Sequence, residues 1–144
     1  MRKEVVIRFK RLTERARLPQ FAYEDDACFD LFSPCDLTIP PGESAVVDLE
    51  IASEFPTGYE VVIRPRSGMG IRHGIMIHPG TIDAGYRGSW VVRLFNFGTA
   101  PYRICQGDRI AQGALREVPR VRIVETSTLS PTQRGERGLG STGR

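Results

Sequence analysis

The chain has 144 residues, a length typical of a single domain, and its apolar and charged fractions of 40% and 26% are ordinary for a globular protein. No apolar run approaches the roughly 18 residues of a membrane span, which argues against a membrane protein. The net charge of +3 comes from 20 basic and 17 acidic residues spread along the chain, without the basic patch typical of nucleic-acid binding. Only Lys3 and Lys10 are lysines, so a lysine-dependent P-loop is excluded.

The cysteines and the N-terminus indicate a cytoplasmic location. Cys28, Cys35 and Cys105 are odd in number and form no Cys-x-x-Cys pair, so we expect reduced thiols rather than a disulfide framework. Residues 1–9 are too short and too alternating to be the apolar segment of a secretory signal.

Alternation of apolar and polar residues predicts several strands. One face of the first strand is formed by Val5, Ile7 and Phe9, and one face of another by Val47, Leu49 and Ile51. Residues 59–64 and 90–95 are β-rich without clean alternation, which predicts strands buried on both sides. Residues 121–124 are the last predicted strand, and residues 107–116 fit either a strand or a helix.

Turn residues separate these segments at short intervals, for example at residues 40–42, 56–58, 79–80, 98–101 and 106–108. No window gives a convincing amphipathic helix of ten residues. Many short strands with frequent Pro and Gly residues predict an all-β sandwich or barrel.

The composition changes after Glu125. Residues 126–144 are mostly Ser, Thr, Gly and Arg, and only Leu129 and Leu139 are large and apolar. Such a segment cannot bury enough surface to offset its ordering entropy. The sequence therefore predicts one β domain, residues 1–125, followed by a flexible glycine-rich C-terminal arm, residues 126–144.

Two internal segments combine groups that suit phosphate chemistry. Residues 64–70, Arg-Pro-Arg-Ser-Gly-Met-Gly, are expected to form a turn whose backbone amides approach an anion, with Arg66 and Ser67 as further donors. Residues 80–88 are expected to form a hairpin that carries Asp83, a carboxylate able to orient water and accept its proton. Each segment also has a purely structural interpretation as a turn when taken alone.

The remaining patterns are less informative by themselves. Residues 134–143 combine Arg134 with four glycines and two hydroxyl groups, which suits either a polyphosphate-binding arm or a disordered terminus. His73 and His78 have no Cys or Glu partner at zinc-ligand spacing. No Gly-x-Ser-x-Gly motif supports a nucleophilic serine.

Taken in order, five segments resemble the five motifs of the trimeric dUTPase family, and the resemblance spans residues 22–143. The segments are residues 26–31, 66–68, 80–88, 107–112 and 134–143. The resemblance implies a jelly-roll homotrimer that hydrolyses dUTP to dUMP and pyrophosphate with Mg²⁺. It also implies three active sites at subunit interfaces, each built from more than one chain.

The same resemblance implies a role for each matching residue. Asp83 would orient water for in-line attack on the α-phosphorus, and Asp30 would lie near Mg²⁺ through water. Tyr86 would pack on the deoxyribose and exclude a 2′-hydroxyl. The phosphate contacts would be Arg66, Ser67, Gly68 and Gln112 from the body, with Arg134, Ser141 and Thr142 from the arm. The base would be read through the backbone of Thr81, Ile82 and Asp83, with His78, Val91, Leu139 and Gly140 as further substrate contacts.

The fifth motif departs most from the family pattern. Arg137 replaces a usual glycine, and Leu139 replaces the aromatic residue that normally stacks on uracil. Base stacking on an aromatic ring contributes roughly 1–3 kcal/mol. Part of that stabilisation is therefore expected to be missing here.

Two alternatives remain open. A dCTP deaminase of the same superfamily would require a glutamate for proton transfer at the base, but residues 84–97 contain no acidic residue. A regulator that binds dUTP without turnover is supported only by the altered Arg137 and Leu139. Asp30, Asp83 and Arg134 are all retained, so hydrolysis is the favoured interpretation.

Overall fold

The computed structural model describes residues 1–143. Across these residues the chain forms eleven short strands and one helix of seven residues, which confirms the predicted all-β class. In chain order the elements are β1 (Arg8–Arg11), β2 (Phe29–Phe32), β3 (Leu37–Ile39), β4 (Ser44–Asp48), β5 (Ile51–Glu54), β6 (Tyr59–Arg64), α1 (Ser67–His73), β7 (Ile75–Ile77), β8 (Gly80–Asp83), β9 (Val91–Asn96), β10 (Tyr102–Ile104) and β11 (Arg109–Glu117).

Two antiparallel sheets form the body of the molecule. One has the strand order β2-β11-β6-β8 and the other β4-β9-β7, and the antiparallel pairs β1-β5 and β3-β10 form two further two-stranded sheets. Side chains from both sheets form a common core, in which Leu31, Val61, Trp90 and Leu94 are almost fully buried. The expected jelly-roll-like sandwich is thus the observed architecture. The ambiguous segment 107–116 is mostly strand, in β11.

Strand β11 crosses the centre of the four-stranded sheet and passes very close to its neighbours at Gly113. A Cβ at this position would lie 2.6 Å from the ring of Phe29 and 3.1 Å from the side chain of Val61. Glycine is therefore required for β2 and β6 to pack against β11 at this point. This packing sets the register in which Gln112 lies opposite both Asp30 and Arg64.

The burial predicted for Val47, Leu49 and Ile51 is confirmed, because each is at most 2% exposed. The prediction that they share one strand is wrong. β4 ends at Asp48 and β5 begins at Ile51, and between them Glu50 has a φ of +56°, in the left-handed region. This corner lets β4 pair with β9 while β5 pairs with β1.

Strands β6 and β9 are not buried on both sides as expected. Their side chains alternate between core and surface, and Val91 on β9 is 50% exposed. An antiparallel sheet in a sandwich covers only one of its faces, which explains the alternation.

The two terminal strands also differ from expectation. Val5, Ile7 and Phe9 alternate in burial as predicted, but β1 starts only at Arg8. The strand expected at residues 121–124 is absent from the described chain, and Ile123 is 93% exposed. Alternation favours a strand only where a neighbouring strand supplies hydrogen bonds, and residues 121–124 have none within residues 1–143. None of the helical structure in residues 1–143 has the length and apolar character needed to cross a bilayer.

Candidate active site

Three of the five motifs meet in one pocket. Asp30 on β2, Gln112 on β11 and Arg64 on β6 lie opposite one another in register. The chain leaves β6 at Arg64 and turns into α1, which brings the second motif next to Asp30. The pocket measures about 310 Å³ and is lined by Ala22, Asp26, Ala27, Cys28, Asp30, Arg66, Ser67, Gly68 and Gln112. We refer to these nine residues as the phosphate pocket, after the phosphate contacts that the resemblance to the dUTPase motifs implies.

The second motif is not the turn that we expected. Ser67 to His73 form helix α1, and the amide of Gly70 donates to the Arg66 carbonyl at 3.1 Å. His73 is the last residue of this helix. The first turn of a helix leaves amide groups without intrahelical partners. Backbone amides are therefore still available beside the pocket, but they belong to the first turn of α1 rather than to a glycine turn.

Asp30 is held by two arginines. Its Oδ2 accepts a hydrogen bond from Arg109 Nε at 3.0 Å, and its Oδ1 lies 3.4 Å from Arg66 Nε. The Asp30 side chain is only 12% exposed, so both interactions are shielded from solvent on the aspartate side. Arg66 also donates to the Arg109 carbonyl at 3.3 Å. The pairing of Arg109 with Asp30 was not predicted from the sequence, although Arg109 lies within the fourth motif.

Gln112 connects β11 to the start of α1. Its side-chain amide donates to the carbonyl of Pro65 at 2.9 Å. Because Pro65 is the residue between β6 and Arg66, this bond fixes where Arg66 and Ser67 enter the pocket. Gln112 is half-buried and lines the phosphate pocket.

Asp83 lies elsewhere on the same sheet. It ends β8, pairs with Glu60 on β6, and lines a separate pocket of about 510 Å³. The predicted hairpin is wrong, because β8 pairs with β6 whereas β9, the next strand, belongs to the other sheet. Residues 84–90 therefore connect the two sheets. Within the described chain β8 pairs only with β6, so its outer edge keeps unpaired backbone groups.

A single chain does not bring Asp83 to the phosphate pocket. Glu60, opposite Asp83, and Arg64, opposite Gln112, are four residues apart on β6, or ~13 Å at about 3.3 Å per residue. A water bound to Asp83 is therefore too far from Gln112 of the same chain to attack a phosphate held there.

The other predicted base and sugar contacts are distributed around β8. Ile82 is buried, so only its backbone faces the sheet edge, whereas Thr81 is exposed. Tyr86 is 43% exposed, and its hydroxyl donates to the Ser89 carbonyl at 2.8 Å. The exposed His78 lies just before β8, and Val91 begins β9 in the other sheet.

The corner at Glu50, between β4 and β5, is bonded both to residues 84–90 and to the N-terminal segment. Ser89 Oγ and the backbone amide of Glu50 both donate to Asp48 Oδ1. The Glu50 carboxylate accepts from Arg15 Nε at 2.9 Å and from the Thr13 hydroxyl. These bonds, led by that of Arg15, hold the pKa of the Glu50 carboxyl below its usual range. Glu50 is thus charged at neutral pH and holds Thr13 and Arg15 against this corner.

The predicted arm makes no hydrogen bond to the body from residue 126 to residue 143. Arg134 Nε donates to the Arg137 carbonyl at 2.9 Å, and Arg137 Nε donates to the Arg134 carbonyl at 3.0 Å. Leu139 is fully exposed, and Arg134, Gly140, Ser141 and Thr142 are not buried. The arm residues are therefore not assembled with the phosphate pocket of their own chain. Arg144 lies outside the described residues.

Comparison with known proteins assigns this arrangement to a family. The dUTPase family model matches residues 14–143. The chain belongs to the dUTPase family. A deoxyuridine 5′-triphosphate nucleotidohydrolase from Clostridium tetani is 43% identical over 143 residues, covering 98% of this chain and 99% of the relative. One from Thermobifida fusca is 44% identical over 142 residues, covering 96% of this chain and 79% of the relative.

Solved dUTPase structures share the fold. A mutant dUTPase of Staphylococcus bacteriophage 80alpha, solved with dUpNHpp, superposes with a TM-score of 0.89 at 27% identity, covering 96% of this chain and 99% of that chain. A mutant dUTPase from phage phi11 of S. aureus superposes with a TM-score of 0.81 at 24% identity, covering 88% and 99%. That phi11 structure concerns the coordination of a structural Mg(II) ion.

Proposed function

We propose that the chain hydrolyses dUTP to dUMP and pyrophosphate at sites shared between subunits of a homotrimer. The observation that carries this proposal is the phosphate pocket, in which the first, second and fourth dUTPase motifs meet around Asp30. Family membership and relatives named deoxyuridine 5′-triphosphate nucleotidohydrolase favour this activity over deamination of dCTP. Retention of Asp83 and Arg134 favours turnover over nucleotide binding alone.

Each group then has a chemical task. Arg66, Ser67 and the first amides of α1 bind the phosphate oxygens, and Gln112 keeps Arg66 in place through Pro65. The unpaired edge of β8 binds uracil through backbone groups of Thr81 to Asp83, in the manner of an added strand partner. The Asp83 carboxylate aims a water at the α-phosphorus and accepts its proton.

The residues around Asp30 fit an Mg²⁺ ion that binds together with the substrate phosphates. Within residues 1–143 no cluster of three or more His, Cys, Asp or Glu side chains forms a metal cage. Mg²⁺ commonly keeps several waters and uses one or two carboxylates together with substrate phosphates. Asp30 uses one position on each oxygen for Arg66 and Arg109, which leaves lone pairs for metal-bound water. The ion would offset phosphate charge and fix the triphosphate geometry.

The distance between Asp83 and the phosphate pocket supports a shared site. Asp83 and Gln112 of one chain are separated by ~13 Å along β6, so catalysis needs Asp83 from a neighbouring copy. A homotrimer with closed symmetry completes every site in this way. The exposed residues 121–124 provide apolar surface for contact between copies.

The division into residues 1–125 and an arm of residues 126–144 is part of the proposal. Arg134, Ser141 and Thr142 close over the β- and γ-phosphates, so the arm orders only when nucleotide binds. A cytoplasmic location is supported by the odd number of cysteines and the absence of a Cys-x-x-Cys pair.

The exposed Leu139 gives a test of the arm as a cover for the base. Leu139→Phe is expected to lower KM for dUTP about threefold to tenfold, because a ring on uracil regains part of the roughly 1–3 kcal/mol of stacking. Leu129→Phe, which changes the other large apolar residue of the arm, is the matched control and should leave KM unchanged. A KM that rises in Leu139→Phe contradicts the placement of this side chain over the base.

A panel of nucleotides tests the proposed activity. The full chain is incubated with Mg²⁺ and dUTP, dCTP, dTTP or UTP, and pyrophosphate, ammonia and the nucleotide product are measured. We expect pyrophosphate and dUMP from dUTP, with much slower reaction of the others. Ammonia from dCTP would establish the deaminase instead, and tight dUTP binding without pyrophosphate would establish the regulator.

A further inference from the structure

Arg87 connects the segment after β8 to the rest of the body. It stands in the middle of residues 84–89, between the end of β8 and Trp90, whose backbone bonds to Leu49 and Ile51. One guanidinium nitrogen, Nη1, lies 2.7 Å from the Ala84 carbonyl and 3.2 Å from the Tyr86 carbonyl. These two carbonyls belong to the turn that Asp83 begins.

The same nitrogen also reaches across to β5. Arg87 Nη1 lies 3.3 Å from the carbonyl of Ser53, and Nη2 lies 3.8 Å from the Glu54 carboxylate. Ser53 is a rigid anchor, because it is buried and its hydroxyl accepts from the indole of Trp90 at 3.1 Å. A largely exposed turn is thereby linked to the buried contact between Ser53 and Trp90 in the core.

The other side-chain contacts of the turn are local or involve its far end. The Tyr86 amide donates to the Asp83 carbonyl at 3.1 Å, and the Tyr86 hydroxyl donates to Ser89. The Tyr86 ring lies directly over Gly88, where an added Cβ would be 2.4 Å from the phenol oxygen. These contacts are internal to the turn or to its end at Ser89, whose hydroxyl donates to Asp48 at the end of β4. Arg87 alone among them spans from the Asp83 side to β5.

We propose that Arg87 is a positioning residue that sets the location of Asp83 and Tyr86 relative to bound nucleotide. This inference rests on the proposed function, in which Asp83 aims water and Tyr86 excludes a 2′-hydroxyl. The planar fork of arginine, with five N–H donors, can satisfy several carbonyls at fixed angles, whereas lysine presents one compact charge. Arg87 itself touches neither the substrate nor the attacking water.

Arg87→Met removes the fork and keeps most of the side-chain length. We expect kcat for dUTP to fall about tenfold and the ratio of kcat/KM for dUTP over UTP to fall by a similar factor, because small misplacements near the reacting atoms are costly. Both quantities are measured by pyrophosphate release, and melting temperature is recorded for each variant. Arg103→Met is the matched control, because Arg103 forms a similarly exposed ion pair with Asp36 at 3.4 Å, away from the turn.

Two further variants separate the possible causes. Arg87→Lys keeps the charge and the stem, and we expect it to fold normally yet still show the reduced dUTP-over-UTP ratio. Glu54→Gln removes only the exposed ion pair and should change that ratio by no more than about twofold. If Arg87→Met and Arg87→Lys both match Arg103→Met in kcat and in the ratio, the positioning role is wrong. That failure is distinct from failure of the proposed function, which would appear as no release of pyrophosphate from dUTP by the unchanged chain.

Discussion

Asp83→Asn is expected to retain dUTP binding and to lower kcat by about 10²–10⁴-fold, the usual contribution of a positioned general base. The carboxamide has the same shape as the carboxylate but cannot accept a proton from water. The turn after β8 should survive, because it uses the backbone carbonyl of Asp83 rather than its side chain. Binding is measured with a non-hydrolysable dUTP analogue, and turnover is measured by pyrophosphate release.

Glu60→Gln is the control for this prediction. Glu60 lies directly opposite Asp83 on β6 and points to the same face of the sheet, so it is a neighbouring carboxylate that could compete for the water. We expect Glu60→Gln to retain most of the activity. Normal turnover in Asp83→Asn, or loss of turnover only in Glu60→Gln, would show that Asp83 does not activate the water.

The grouping of Asp30, Arg66 and Gln112 was predicted from the order and spacing of the dUTPase-like motifs, not from predicted strands. No strand was predicted around Asp30, and residues 107–116 fitted either a strand or a helix. The antiparallel pairing of β2 with β11, which places the two residues side by side, is therefore a finding of the structure. Their meeting with Arg66 needs only the chain reversal between β6 and α1. The ion pair of Asp30 with Arg109 was not predictable in this way. It depends on the register shift in β11 between Arg109 and Ala111, which no periodicity reveals.

The errors have physical causes as well. Helix α1 contains two glycines in seven residues and is too short to show a helical period, so the sequence indicated a turn. Residues 80–88 looked like a hairpin because the strands that flank the turn are adjacent in sequence. In the structure each strand pairs with a more distant partner, β6 for β8 and β4 for β9. Local patterns identify strands but do not determine which strands pair.

Mixing two inactive variants is expected to restore activity, and this is the second large effect. An Asp83→Asn chain keeps a normal phosphate pocket, whereas an Arg66→Met chain keeps a normal Asp83. Each variant alone should be nearly inactive. If every site takes its pocket from one chain and Asp83 from a neighbour, random co-assembly makes about one quarter of the sites intact. Refolding the two variants together, followed by a pyrophosphate assay, measures this recovery.

The recovery must depend on where the two residues lie, so the control pairs Arg66→Met with Gln112→Met. Both changes affect the same pocket, and Gln112 holds the Arg66 segment through Pro65. Mixing these two chains should restore nothing, because no hybrid contains an intact pocket. Native mass spectrometry establishes that mixed assemblies have formed in each case. If mixed Asp83→Asn and Arg66→Met assemblies are present but no more active than the sum of the separate variants, the site is not shared between chains. Asp83 and Gln112 of one subunit, ~13 Å apart along β6, would then have to move together to act on the same substrate.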